Sequence, residues 1–249
     1  MAPVYLGIDV GFSKDVASTG VCVISPAGGK PVRVTHVRTE RTLGAIRELL
    51  GGEIPTAISI NGPLVPHAAK GIFRTINRYR ICERSLSGGI FQKRCKPGPT
   101  NSPRGQALHR QATFVANALL LDHPKARVVE AFPNAFLGVM MPPGVFRRPI
   151  RRGIKSDVFW RFGVRQRIID RLVAHLFDDT FLPPWRRLEN HDERAAFVCA
   201  LTARASEAGS ALVISGDGEI LLPPRDFIQP WALEELCRRI PTLKLPVLS

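Results

Sequence analysis

The sequence lacks the features that mark several common protein classes. Its five cysteines are an odd number, lie far apart and form no CxxC pair, which argues against a disulfide framework and a structural zinc site. No stretch approaches the roughly 18 consecutive apolar residues of a membrane span, and the first residues lack the basic start of a secretory signal peptide. We therefore expect reduced thiols and a cytoplasmic protein.

Signatures of two large enzyme classes are also absent. The chain contains no GxxxxGK[S/T] phosphate-binding loop and no GxSxG nucleophile elbow. Its histidines are too scattered to predict a zinc site. His191 stands next to Asp192; we expect it to fill a helix start, and an approach to the metal site is the alternative.

Acidic residues are scarce relative to basic ones: 21 Asp and Glu against 35 Lys and Arg give a formal net charge of +14 at pH 7. The excess lies in residues 70–110, with ten basic residues and one acid, and in residues 147–171, with nine basic residues and two acids. Arginine interleaved with aromatic residues suits phosphates and unstacked bases, so these segments predict nucleic-acid binding. A solvated basic surface is the alternative interpretation. The residues that we expect to contact nucleic acid are Arg80, Arg84, Lys93, Arg94, Lys96, Arg147, Arg148, Arg151, Arg152 and Lys155.

Hydrophobic periodicity predicts an α/β fold. The predicted strands are 4–10, 19–25, 32–37, 56–60, 126–132, 211–215 and 220–224, and the predicted helices are 42–50, 104–121, 157–176 and 190–208. An antiparallel hairpin followed by alternating strands and helices indicates a mixed sheet in one domain, residues 1–249. Residues at about 65–103, rich in Gly, Ser, Pro and basic side chains, predict a long irregular insertion, and loops of that length are usually functional or disordered.

Three acidic residues stand where the surrounding pattern is apolar. Asp9 lies in the first strand with Gly7 and Gly11 on its own face, which leaves room for a ligand or a close backbone. Glu130 lies in an apolar strand, and Asp192 heads a stripe of small apolar residues on a helix that Asn190 would cap. The structural alternatives are loop amides for Asp9, an arginine partner for Glu130 and helix-dipole compensation for Asp192. Taken together, the three carboxylates predict one Mg²⁺ or Mn²⁺ site suited to phosphodiesters.

Six sequence blocks carry a resemblance to a known family. The opening GIDVGFSKDVASTGVCVI resembles the first hairpin of the ribonuclease H-like superfamily, and the chain more narrowly resembles the domain-of-unknown-function family numbered 429, whose members are predicted nucleases. The matching blocks follow the family's order and span most of the chain. They are GIDVG (7–11), SINGPL (59–64), RICERSL (80–86), VVEAFPNAFL (128–137), HDERAAFVCALTA (191–203) and GDGEILLPP (216–224).

The resemblance implies an RNase H-like fold, with a five-stranded mixed sheet flanked by helices, and a metal-dependent nuclease that hydrolyses phosphodiester bonds. It implies that Asp9, Glu130 and Asp192 are catalytic and bind the metal. The family usually has an aspartate where this chain has Asn61. Asn61 is therefore expected as a neutral fourth ligand, with Glu83 as a candidate for the missing charge.

Two other functions fit part of the pattern. A non-catalytic nucleic-acid-binding protein that kept the fold and lost activity is compatible with Asn61. A phosphotransferase of the actin and sugar-kinase type also begins with a GIDxG strand and turn. Such enzymes normally carry two such domains, for which 249 residues are few.

Overall fold

A computed structural model describes residues 2–13, 15–27, 30–65, 78–94, 97–146, 155–177, 188–241 and 243, without the side chains of residues 93, 146, 155 and 156. Seven strands of these residues form one sheet in the order β3-β2-β1-β4-β5-β7-β6. The strands are β1 (Tyr5–Asp9), β2 (Thr19–Ile24), β3 (Val32–Val37), β4 (Ala57–Asn61), β5 (Arg127–Ala131), β6 (Ala211–Gly216) and β7 (Gly218–Pro224).

The sheet is mixed, as predicted. β1, β4 and β5 are parallel neighbours, while β2 runs antiparallel to both β1 and β3. The predicted α/β class is confirmed, and the mixed sheet flanked by helices is consistent with an RNase H-like fold. The predicted number of five strands is too small, because the β6–β7 hairpin joins the same sheet through β5.

Helices cover both faces of this sheet. They are α1 (Thr42–Leu50), α2 (Ile81–Ser85), α3 (Phe91–Arg94), α4 (Pro103–Asp122), α5 (Pro133–Val139), α6 (Lys155–Arg165), α7 (Ile168–Phe177), α8 (His191–Glu207) and α9 (Pro230–Arg239). On one face, α1 and α4 bury a cluster that includes Leu6, Ile8 and Ile60. On the other face, α8 packs across β1, β2 and β4. None of the helices in the described ranges has both the length and the apolar composition needed to cross a bilayer.

Two glycines allow α8 to lie directly on the sheet. A methyl group on Gly7 would overlap the backbone of Ala196 and Ala200, and one on Gly20 would overlap the carbonyl of Asp192. The space that the sequence indicated beside Asp9 is therefore filled by a close backbone. This close packing sets the first turn of α8 beside the end of β1.

The described part of the predicted irregular insertion is ordered and packed. Its short helices α2 and α3 bury Cys82, Leu86 and Phe91 in the main core. Their apolar residues therefore belong to the fold rather than to an exposed loop. The single helix predicted at 157–176 is in fact two helices, α6 and α7, separated at Arg167, whose φ of 56° interrupts the helical backbone.

Candidate metal centre

Asp9 and Asn61 lie side by side at the carboxyl ends of two parallel strands. The register pairs them directly, and the Asn61 side-chain amide donates a hydrogen bond to Asp9 Oδ1. Asp9 is only 7% exposed. Both side chains point to the α8 face, since Ile8 and Ile60, one residue earlier in each strand, face the opposite cluster. The prediction that Asn61 ends the fourth strand beside Asp9 is confirmed.

The N-terminus of α8 is capped as the sequence predicted. Asn190 Oδ1 accepts a hydrogen bond of 2.8 Å from the amide of Glu193. The Glu193 carboxylate accepts one of 2.9 Å from the amide of Glu189. The first bond satisfies an amide of the first turn, and the second attaches the residue before the cap to that turn. His191 and Asp192 are therefore held in a defined place at the end of the sheet.

Asp9, His191 and Asp192 converge on one point. Each offers one ligand atom, and the three atoms lie within 4.8 Å of one another. The predicted approach of Asp9 and Asp192 is confirmed. His191 begins α8, as expected, and its ring also lies near the two carboxylates, which was the alternative that the sequence left open. Its position next to Asp192 in the first turn was the available indication.

Further polar side chains support this cluster. His36 of β3 places Nε2 2.8 Å from Asp192 Oδ2. The His191 ring lies 3.8 Å from an Asp157 carboxylate oxygen, and Asp157 also binds Arg194 at 3.0 Å. β3 and α6 thus place a polar side chain beside Asp192 and His191, respectively. No pattern in the sequence connected His36 or Asp157 to the site.

Burial raises the pKa of Asp9 to about 7. Desolvation is the main cause, and the negative charge of Asp192 adds to it. The hydrogen bond from Asn61 and the charges of His191 and His36 act in the opposite direction but do not cancel the effect. A bound divalent cation would favour the ionised carboxylate that burial disfavours. The three residues therefore fit a cation in charge as well as in spacing.

Glu130 does not join this group, contrary to the prediction. It pairs in register with Ile60, so it points to the opposite face of the sheet from Asp9 and Asn61. There its carboxylate accepts hydrogen bonds from the amide of Leu64 at 3.1 Å and from Arg80. Burial raises the pKa of Glu130, and the partly compensating interactions come from Arg80 and Leu64.

Arg80 and Glu83 are likewise parts of the interior. The Arg80 side chain is fully buried and binds both Glu83 and Glu130. Thr100 donates to Glu83 from its amide, at 3.1 Å, and from its hydroxyl. The prediction that Arg80 contacts nucleic acid is wrong, because its guanidinium is enclosed by carboxylates. Glu83 has no oxygen to spare for the metal centre, and the proposed compensation fails.

The other basic residues divide into three groups. Arg84 is exposed, whereas Arg94 lies over the Trp231 ring, with 4.3 Å between its guanidinium carbon and the ring centroid. Lys93 and Lys155 are described by backbone alone. The remaining predicted contacts lie outside the described residues; they are Lys96, Arg147, Arg148, Arg151 and Arg152. Nucleic-acid contacts by these residues stay predictions.

Replacing Asn61 by aspartate should strengthen metal binding at a cost in stability. The new carboxylate adds a charge that attracts a divalent cation, so we expect Mn²⁺ affinity to rise about tenfold. Without metal, like charges would replace the donated hydrogen bond to Asp9, which destabilises the protein and raises the pKa of Asp9 further. Titration calorimetry with Mn²⁺ and thermal unfolding in EDTA measure the two effects.

Asn117→Asp, on the exposed face of α4, is the matched control and should change neither quantity. Equal or weaker Mn²⁺ binding by Asn61→Asp would show that Asn61 only supports the strand end.

The donor set has a definite chemical character. Two carboxylates and one imidazole combine hard oxygen ligands with a borderline nitrogen ligand, a mixture that suits a divalent first-row ion. No known family model matches the sequence, and no curated protein is significantly similar to it. The function is therefore inferred from the site itself.

Proposed function

We propose that the protein is a divalent-metal-dependent nuclease that hydrolyses phosphodiester bonds. The observation that carries this proposal is the convergence of Asp9, His191 and Asp192, with ligand atoms within 4.8 Å, at the carboxyl ends of the central strands. The mixed sheet also supports it, because an antiparallel β1–β2 hairpin beside the parallel strands β4 and β5 is consistent with an RNase H-like fold.

The charge of the chain favours a polyanionic substrate. A net charge of +14 attracts nucleic acid and accelerates its encounter with the protein. Asp157, whose carboxylate lies 3.8 Å from the His191 ring, comes five residues after Arg152 and ten after Arg147. The arginine-rich segment therefore lies close in sequence to a residue that borders the metal centre.

Asp9, His191 and Asp192 would hold the cation. When bound, a divalent ion supplies Lewis-acid stabilisation of the charge that develops on phosphate oxygens. Asn61 donates a hydrogen bond to Asp9 Oδ1 and so orients that carboxylate, while His36 Nε2 lies 2.8 Å from Asp192 Oδ2. Hydrolysis adds a water oxygen to phosphorus, breaks one P–O ester bond and leaves a hydroxyl and a phosphomonoester as products.

The imidazole ligand favours Mn²⁺ over Mg²⁺. Mg²⁺ prefers oxygen ligands and retains its waters, whereas Mn²⁺ accepts both carboxylate and imidazole. We expect calorimetry to show Mn²⁺ binding at least about tenfold tighter than Mg²⁺ binding. Asp192→Asn should weaken Mn²⁺ binding by about a hundredfold, because one charged ligand is lost. Asp122→Asn, at the exposed end of α4, is the matched control and should bind as the parent does.

Cleavage of end-labelled single-stranded and duplex DNA and RNA with Mn²⁺ tests the reaction itself. Products that require Mn²⁺ and disappear with Asp192→Asn would support the nuclease. Binding without any cleavage would contradict it and indicate a nucleic-acid-binding protein. Thermal stabilisation by ATP in place of nucleic acid would indicate a phosphotransferase.

A further inference from the structure

The loop after β1 carries an aromatic side chain that the core does not absorb. Phe12 follows Asp9 by three residues, so the two Cα atoms lie within about 11 Å of each other. The Phe12 side chain is 42% exposed. The start of this loop is held by a hydrogen bond of 3.0 Å from the Gly11 amide to Thr19 Oγ1. An exposed apolar ring therefore follows the carboxyl end of β1, the strand end that carries Asp9.

Arg104 lies against this ring, with 5.7 Å between its guanidinium carbon and the centroid of Phe12. Because α4 connects the parallel strands β4 and β5, it runs back along the sheet and begins at the edge where Asp9 lies. The first turn of α4 contains no acidic residue. The guanidinium of Arg104 adds positive charge to the positive end of the helix dipole, which is unfavourable for the protein alone. A bound anion would stabilise this arrangement.

We propose that Phe12 and Arg104 bind an unpaired nucleotide beside the metal centre, with the base stacked on the Phe12 ring and a phosphate bound by Arg104. This inference rests on the proposed function and specifies its substrate class as nucleic acid with a single-stranded segment at the site. A base inside a duplex already stacks on both neighbours, whereas an unpaired base offers a free face to an aromatic ring. The pair therefore favours single strands over duplexes.

Fluorescence anisotropy tests this with a labelled single strand of about 12 nucleotides and with the corresponding duplex, both in EDTA so that nothing is cleaved. Stacking on an aromatic ring accounts for about 1–3 kcal/mol per base, so Phe12→Leu should weaken single-strand binding by about 5- to 140-fold. Phe12→Trp should retain it, and duplex binding should change little in either variant. Arg104→Gln should reduce the salt dependence of single-strand binding by about one phosphate contact.

Phe114→Leu is the matched control. Phe114 is 59% exposed on the same helix, ten residues after Arg104 and so about 15 Å further along α4. It should bind single strands as the parent does. Three results would each overturn the inference. They are an equal loss of single-strand affinity in Phe12→Leu and Phe114→Leu, an unchanged affinity in Phe12→Leu, and a parent protein that binds no single strand. Single-strand binding that depends on Phe12 in a protein without Mn²⁺-dependent cleavage would uphold the inference and overturn the nuclease.

Discussion

Replacing Asp9 by asparagine should abolish the proposed metal-dependent cleavage and at the same time make the metal-free protein more stable above pH 7. Loss of a charged ligand removes the cation, and with it several kcal/mol of charge stabilisation, so we expect the cleavage rate to fall by about a thousandfold or more. The asparagine carbonyl still accepts the hydrogen bond from Asn61. The gain in stability arises because a buried carboxylate no longer has to ionise.

The pH dependence of that gain follows from the pKa of Asp9, about 7 in the folded protein against 3.8 as its ordinary value. Between these two values the folded parent retains a proton that the unfolded chain has lost, so the parent becomes less stable as the pH rises from 4 to 7. Above pH 7 the loss is complete. We therefore expect the free energy of unfolding of Asp9→Asn to exceed that of the parent by about 2–4 kcal/mol at pH 8, and by little at pH 4.

Thermal and urea unfolding in EDTA across this pH range measure the difference, with Asp122→Asn as the control for removal of an exposed carboxylate. A parent and variant that show the same stability at pH 4 and pH 8 would mean that Asp9 is not buried as an acid. Saturating Mn²⁺ should reverse the order at pH 8, since only the parent gains binding free energy.

Alanine at position 7 should be among the most destabilising single changes in the protein. The added methyl group would overlap the backbone of Ala196 and Ala200, so α8 would have to move away from the sheet by more than about 1 Å. Backbone cannot rotate aside as a side chain can. We expect a loss of about 4 kcal/mol or more in the free energy of unfolding, together with loss of Mn²⁺ binding as Asp192 moves away from Asp9.

Gly44→Ala should have the opposite effect on stability. Gly44 lies in α1, with no atom within 4 Å of the place where a Cβ would stand. Alanine there should raise the free energy of unfolding by about 0.5–1 kcal/mol, because it restricts the unfolded chain and favours the helix. Urea denaturation of both variants gives the comparison. Similar stabilities would contradict the role assigned to Gly7.

The parts of the fold that local periodicity determines could be predicted from the sequence. The hairpin of β1 and β2 and the bounds of α1 agree with the structure to within a residue, since their patterns are regular. The helices α5 and α9 were not predicted, although each begins at a proline, which favours the start of a helix. The break at Arg167 was missed because the apolar pattern continues through it.

The metal centre was predicted in part. The error for Glu130 concerns the face of the sheet to which its side chain points, and not its place on a strand. Asp9 could be recognised as an acid on a glycine-lined strand face, and Asp192 as the head of a packed helix. Glu130 was correctly placed on a strand, but its face depends on the register with β4, which no local pattern specifies. His36 belongs to a third strand, and only the tertiary fold brings it to Asp192.

Glu130 also joins two points that are distant in the chain. Its carboxylate binds the amide of Leu64 and the guanidinium of Arg80, so both ends of the connection between them are attached to one side chain. The entropy of closing a loop grows only slowly with its length, by about 0.6 kcal/mol per doubling. Lengthening or shortening this connection should therefore leave the rest of the fold intact. During divergence, the basic segment between Leu64 and Arg80 is a place where new sequence could be acquired without disturbing the edge of the sheet that carries Asp9 and Asn61.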